Sequence, residues 1–142
     1  MVNAIGNVYD PDTGRMLAGV RSREGEAPLS VMEQLILSAE EDPMGIVANT
    51  TISIVLTNAA FSKAKMCRIA SMAHNAYART IRPVNLSTDG DSVYAVSCGT
   101  VVADEDVVGT MAEEVLSRAI VQAVKQASSA YGYPAWQDLQ AE

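Results

Sequence analysis

The chain has 142 residues, of which 49% are hydrophobic and 19% are charged. This length suffices for one modest domain with a single core, and the composition is typical of a folded globular protein rather than a disordered one. The formal net charge of -7 offers no basic face to a phosphate backbone, which argues against nucleic acid as a partner.

The chain begins with a predicted hairpin. Residues 2–9 predict a strand and residues 15–20 its partner. The segment Asp10-Pro11-Asp12-Thr13-Gly14 between them is strong turn chemistry, because Pro presets φ and Gly tolerates positive φ. Residues 21–28 are polar and predict a surface loop.

A short helix and an exposed linker are predicted next. Ser30 and Glu33 form a capping box ahead of a helix that ends near Ser38. The acidic segment Glu40-Glu41-Asp42-Pro43 predicts an exposed linker that leads to Asn49.

From residue 50 onward the pattern alternates between strands and long helices. Residues 51–57 and 92–98 predict strands, whereas residues 63–80, capped by Ser62, and residues 108–131 predict helices. This order indicates an α/β layered unit. In the first of these helices a face of small residues is expected to lie close to a sheet: Ala64, Cys67, Ser71, His74 and Ala78.

The two cysteines and the hydropathy bear on the cellular compartment in which the protein is expected. Cys67 and Cys98 are too few for a metal cluster or a disulfide framework, so two buried thiols in a reducing environment are expected. No apolar run reaches the roughly 18 residues that a membrane span needs, and no signal peptide opens the chain. We therefore expect a cytoplasmic protein, unless an upstream segment carries a signal.

Several residues are candidates for chemistry, although each has an ordinary structural interpretation. Thr50 and Thr51 head a strand, where threonine is common. Asp89 and Asp91 flank Gly90 in a turn; they could bind a metal, but no Glu follows at the distance that an EF-hand requires. His74 is interpreted as a packed or surface histidine.

Taken together, several segments resemble one family. The segments are Asn49-Thr50-Thr51-Ile52, Thr57-Asn58-Ala59-Ala60, Lys63-Ala64, Arg68-Ile69-Ala70-Ser71-Met72-Ala73-His74, Ala78-Arg79-Thr80-Ile81-Arg82-Pro83-Val84 and Thr88-Asp89-Gly90-Asp91-Ser92-Val93-Tyr94-Ala95. In this order they resemble the DmpA-type aminopeptidases, which include L-aminopeptidase D-Ala-esterase/amidases, β-peptidyl aminopeptidases and endo-type nylon-oligomer hydrolases. The likeness runs from Asn49 to Gly99 and returns at Leu116-Ser117-Arg118-Ala119-Ile120, and Asn3-Ala4-Ile5-Gly6 is similar to the strand that carries the family's oxyanion asparagine.

The resemblance implies an α-β-β-α layered sandwich of the self-processing N-terminal-nucleophile type, incomplete in this chain. Residues 1–49 would be the C-terminal tail of the large subunit, and residues 50–142 would be the small subunit. The partners implied are the remainder of the large subunit and further large-small pairs in a homo-oligomer. The substrate implied is a short peptide or related amide, with no metal and no cofactor.

The resemblance also implies roles for four residues. The precursor would cut itself between Asn49 and Thr50, and Thr50 would then be the catalytic nucleophile, with its own amine as general base. Asn3 would donate to the oxyanion, while Asp89 and Asp91 would hold the Thr50 amine and hydroxyl in register.

The sequence departs from the family at three points. Family precursors are more than twice as long, and their upstream part supplies a lysine, a tyrosine and several strands. Asn85 stands where many members have His, and Ala48 stands where Gly is frequent. Two rival functions therefore remain: an acyltransferase of the ornithine acetyltransferase type, and a non-catalytic fragment or partner-dependent subunit.

Overall fold

The computed structural model describes residues 1–20, 30–38 and 49–140. The elements within these ranges are β1 (Asn7–Tyr9), β2 (Met16–Ala18), α1 (Val31–Ser38), β3 (Ile52–Ala59), α2 (Lys63–Thr80), β4 (Ile81–Arg82), β5 (Ser92–Val101), α3 (Glu105–Lys125) and a short 3-10 helix (Asp138–Gln140). The predicted α/β class is confirmed. The loop predicted at 21–28 and the linker predicted at 40–43 lie outside the described residues.

The hairpin of β1 and β2 forms around its Asp-Pro turn as predicted. The Asp10 carboxylate accepts the backbone N–H groups of Asp12 and Thr13, and Gly14 adopts a φ of 70°. β1 is the middle strand of an antiparallel sheet in the order β2-β1-β4. Both strands are shorter than the predicted 2–9 and 15–20, because the chain before β1 diverts to pair with residues 50–52 instead.

β3 and β5 form a separate two-stranded parallel sheet, with α2 as part of the crossover between them. Their register places Ile52 opposite Ser92 and Thr57 opposite Ser97. One face of the pair packs on the helical core through Val55, Val93 and Ala95. Because strand side chains alternate, the other face presents a row of exposed apolar residues: Ile52, Ile54, Leu56, Tyr94 and Val96.

The core lies where α2 packs against α3 and β5. The buried face of α2 consists of Met66, Ile69, Ala73, Ala76, Tyr77 and Thr80. The prediction that the small-residue face packs against a sheet was wrong, because Ala64, Cys67, Ser71 and Ala78 are exposed and His74 is only half-buried. Larger apolar side chains remove more area from water, and they determine which face turns inward.

Two other predictions were also wrong. Both Cys67 and Cys98 are exposed free thiols, since Cys67 lies off the buried face of α2 and Cys98 lies on the open face of β5. α3 begins earlier than the predicted 108, because the Asp104 carboxylate caps it by accepting from Asp106 N and Val107 N, and it ends at Lys125 rather than at the predicted 131. Across residues 1–20, 30–38 and 49–140, none of the helices is long and apolar enough to span a membrane.

Tyr77 joins α2 to the start of both parallel strands. Its ring is fully buried, and its hydroxyl lies 3.2 Å from Thr51 O, 3.0 Å from Ser92 O and 2.9 Å from Ser53 Oγ. Burial raises the pKa of the Tyr77 hydroxyl, and the charge of Asp91 adds to the rise, whereas the hydrogen bond with Ser53 lowers it. The hydroxyl therefore stays protonated at neutral pH and can donate to one strand carbonyl at a time.

Tyr77→Phe should lower the free energy of unfolding by about 1–1.5 kcal/mol, because it removes a buried hydroxyl that bonds to the first residues of both strands. Tyr94→Phe is the matched control, since Tyr94 is 57% exposed on β5, and it should change stability by less than about 0.5 kcal/mol. Urea unfolding of both variants gives the comparison. An unchanged midpoint for Tyr77→Phe would contradict the bridging role.

Candidate active site

The parallel pairing of β3 and β5 brings the Asn49-Thr50-Thr51 segment beside the Asp89-Gly90-Asp91 turn. Ser92 N donates to Thr51 O at 2.9 Å, and Gly90 N donates to Asn49 O at 3.1 Å. Thr51 N donates to the Asp91 carboxylate at 2.6 Å. The two segments that the sequence singled out, some forty residues apart, are therefore in direct contact.

Asn3 lies on the other side of the same junction. Its carbonyl oxygen accepts from Thr50 N at 3.1 Å, and Met1 O accepts from Ile52 N at 3.0 Å. The Asn3 side-chain amide is 3.5 Å from the Asn49 side-chain oxygen, at the outer limit of a hydrogen bond. Asn3 thus contacts the junction, but its amide points to the Asn49 side chain and not to the Asn49 carbonyl.

The two aspartates of the turn differ in their contacts. Asp91 is bonded to the backbone of Thr51, one residue beyond Thr50. Asp89 closes its own turn, because its carboxylate accepts from Leu86 N at 2.8 Å and its amide donates to Leu86 O at 3.0 Å. The Asp91 carboxylate is therefore one residue from Thr50, whereas the Asp89 carboxylate is bonded within its own turn.

Gly90 approaches Thr50 more closely than a larger residue could. A Cβ atom built on Gly90 would lie 2.5 Å from Thr50 Oγ1, well inside van der Waals contact. Sequence reasoning treated Gly90 only as a turn residue and also missed Tyr77. A tyrosine among the apolar positions of a helix was the signal that a buried hydroxyl needs a partner.

His74 is linked to the loop that leads into the turn. Its Nε2 atom lies 2.7 Å from Asn85 Oδ1, and its ring packs at a tilt against Tyr77, with centroids 4.9 Å apart. Asn85 has a φ of 59°, in the left-handed region that asparagine tolerates better than most residues. Asn85, which stands where many DmpA-type sequences have His, is thus hydrogen-bonded to His74, the single histidine of the chain.

Comparisons with known proteins identify the family of this chain. The profile of Peptidase family S58 matches residues 12–135. An uncharacterized aminopeptidase of Mycobacterium tuberculosis is 35% identical over an aligned length of 160 residues. The alignment covers 98% of this chain and 46% of that protein. An uncharacterized aminopeptidase of Mycobacterium leprae is 33% identical, over 96% of this chain and 42% of that protein.

A third relative comes from outside the mycobacteria. The 6-aminohexanoate-oligomer endohydrolase of Kocuria is 26% identical over 137 residues, which cover 87% of this chain and 39% of that protein. The chain spans less than half the length of these three relatives. Since the family profile covers most of the sequence, from the first hairpin to the last turn, the chain belongs to Peptidase family S58.

Proposed function

We propose that this chain is the C-terminal part of a self-processing hydrolase that cuts its own Asn49–Thr50 bond and then uses Thr50 as nucleophile. The observation that carries the proposal is how the bond is held. The Thr50 nitrogen of this bond donates to Asn3 O, and the Asn49 oxygen accepts from Gly90 N. The following backbone N–H, of Thr51, donates to the Asp91 carboxylate. A peptide bond fixed at both of its polar atoms beside a hydroxyl is arranged for intramolecular attack.

Self-cleavage would begin with an N→O acyl shift. The Thr50 hydroxyl oxygen attacks the Asn49 carbonyl carbon, the bond from that carbon to the Thr50 nitrogen breaks, and the nitrogen takes up the hydroxyl proton. Water then hydrolyses the resulting ester, which releases the Asn49 carboxylate and leaves Thr50 with a free amine and a free hydroxyl.

Hydrolysis of substrate would repeat this chemistry from the free terminus. The Thr50 amine accepts the hydroxyl proton as the hydroxyl oxygen attacks the substrate's amide carbonyl carbon. The bond from that carbon to the substrate nitrogen then breaks, and the leaving amine takes the proton from the Thr50 ammonium. Water hydrolyses the resulting ester, which releases the acid and restores the Thr50 hydroxyl. Asn3 would donate to the oxyanion, and Asp89 and Asp91 would orient the Thr50 terminus. Their negative charges favour the ammonium form, so burial or a neighbouring cation must offset them for the amine to act as base.

The same site and the relatives' names support one substrate class. Thr50 chemistry acts on an amide carbonyl and makes no demand on an α-substituent. The relatives are named aminopeptidases and a 6-aminohexanoate-oligomer endohydrolase. We propose short peptides or related linear amides as substrates.

Thr50→Ala should abolish self-cleavage and amide hydrolysis in any form of the protein that performs both, because it removes the attacking oxygen. Thr51→Val is the matched control: Thr51 is fully buried and its hydroxyl has no partner among the described residues, so an isosteric apolar side chain should be tolerated. Intact mass, N-terminal sequencing and hydrolysis of a peptide anilide provide the readouts. Hydrolysis retained by Thr50→Ala would exclude Thr50 as nucleophile.

Residues 1–49 would form the tail of a large subunit, residues 50–142 the small subunit, and a further polypeptide would complete the sheet. Met1–Asn3 run antiparallel to the segment that leads into β3, along the edge of β3 that faces away from β5. The amides of Thr50 and Ile52 therefore point to this edge rather than to β5. By the same alternation the amides of Ile54 and Leu56 face the next stretch of that edge, where no partner strand lies among the described residues.

The apolar surfaces around that edge support the same partner. On α3, Met111 and Val115 are 60% and 63% exposed beside the free edge of β3. The open face of β3 and β5 is apolar as well. A strand added at this edge would lie over the exposed side of α3, and a second sheet on the open face would give the α-β-β-α sandwich. The part of the relatives that this chain does not span is long enough to supply both.

Adding the upstream half of the Mycobacterium tuberculosis relative should protect the Ile54 and Leu56 amides from hydrogen exchange. Ala119 is exposed and lines a groove between α3 and β3. Ala119→Glu should weaken this association at least about tenfold, because it places a carboxylate in an apolar interface. Ala78→Glu makes the same change on the exposed side of α2 and should leave association unaltered.

The isolated 142-residue chain should show little or no turnover. Robust hydrolysis by that chain, or an association that leaves both amides exchanging freely, would contradict the proposed completion of the sheet.

A further inference from the structure

We infer that the backbone N–H of Gly90 stabilises the oxyanion during cleavage of the Asn49–Thr50 bond, and that glycine is needed there to leave room for the Thr50 hydroxyl. This inference rests on the proposed self-cleavage and adds a catalytic group that lies outside the set Thr50, Asn3, Asp89 and Asp91.

The first argument is the position of the donor. When Thr50 Oγ1 attacks, negative charge develops on the oxygen of Asn49, and that oxygen already accepts from Gly90 N at 3.1 Å. A donor that is in place before reaction needs no reorganisation as the charge grows. The Asn3 amide is 3.5 Å from a different oxygen, on the Asn49 side chain, so in the uncut chain Gly90 is the group in contact with the reacting carbonyl.

The second argument is the rigidity of the turn that presents this N–H. Asp89 bonds to Leu86 through both its amide and its carboxylate, and Asp91 bonds to Thr51 N at 2.6 Å. The residues on both sides of Gly90 are therefore fixed, one to its own loop and one to β3. Each aspartate thus helps to aim the Gly90 N–H, in addition to any direct effect of its charge.

The third argument is steric. The hypothetical Cβ atom of residue 90 would lie 2.5 Å from Thr50 Oγ1 and 3.4 Å from Thr50 Cγ2. Any side chain would push either the Thr50 hydroxyl out of its position or the turn away from Asn49, and the second shift would lengthen the bond from Gly90 N to Asn49 O. Because residue 90 has no side chain, the Gly90 N–H and the Thr50 hydroxyl can both reach the Asn49–Thr50 peptide bond.

The same N–H would serve in substrate hydrolysis. Once Asn49 has left, the acyl group of a substrate attached to Thr50 Oγ1 would occupy the position of the Asn49 carbonyl. Its oxygen would then face Gly90 N in both the acylation and the deacylation steps. Self-cleavage and hydrolysis would share one oxyanion donor.

An ester in place of the Gly90 amide tests this role because it removes only the N–H. Cys67 and Cys98 allow the chain to be ligated from segments 1–66, 67–97 and 98–142, with the change in the middle segment. Gly90→glycolate should slow self-cleavage at least about 100-fold, as expected for the loss of an oxyanion donor. The control is the ester analogue of Ser92, which removes the adjacent N–H donated to Thr51 O, and it should slow cleavage less than about tenfold.

The outcomes separate this inference from the proposed function. If the parent chain leaves Asn49–Thr50 intact, alone and with the upstream half of the relative, self-cleavage itself is overturned. If the parent cleaves and Gly90→glycolate cleaves at a similar rate, only the role of Gly90 is overturned. In the uncut Thr50→Ala chain, a scalar coupling across the hydrogen bond from Gly90 N to the Asn49 carbonyl carbon is expected, and its absence would also overturn the role.

Discussion

The parallel pairing of β3 with β5 is the constraint on which the candidate site depends. Parallel strands start at the same end of a sheet, so the residues that precede each strand become neighbours once the register is fixed. With Ile52 opposite Ser92, the peptide bond of Thr50 must lie against Gly90. The contact between Thr50 and the turn is therefore a consequence of strand register and does not need a dedicated binding loop.

The helical core packs against one face of the β3–β5 pair. α2 lies between the two strands in sequence and sends the Tyr77 hydroxyl to the carbonyls of both, close to their first residues. The opposite face of the pair is apolar and exposed, and apolar side chains of α3 are exposed beside the edge of β3 that has no partner strand among the described residues. Exposed apolar surface on one face and along one edge of a short sheet is typical of an interface, which agrees with a chain that spans less than half of its relatives.

The sequence predicted the elements well where capping and alternation agree. The bounds of α2 and α1 and the turn at Asp10 were predicted from local chemistry and are confirmed. It failed where burial depends on partners distant in sequence. Cys67 and Cys98 are small and apolar enough for a core, but the helix and strand that carry them present other side chains inward. The end of α3 was placed too late, because its apolar pattern continues beyond the last residue that packs.

The sequence by itself determined the family, the α/β class and the candidate segments around Thr50 and Asp89–Asp91, because these reside in residue types and spacings. Only the tertiary structure decided how the atoms meet. It placed Gly90 N on the Asn49 carbonyl, turned the Asp89 carboxylate toward Leu86, and put the Asn3 carbonyl on the Thr50 nitrogen. The contacts of Gly90 N and Asn3 O are backbone contacts between segments distant in sequence, and a backbone group is the same in every residue. Side-chain identity cannot reveal them until strand pairing sets the register.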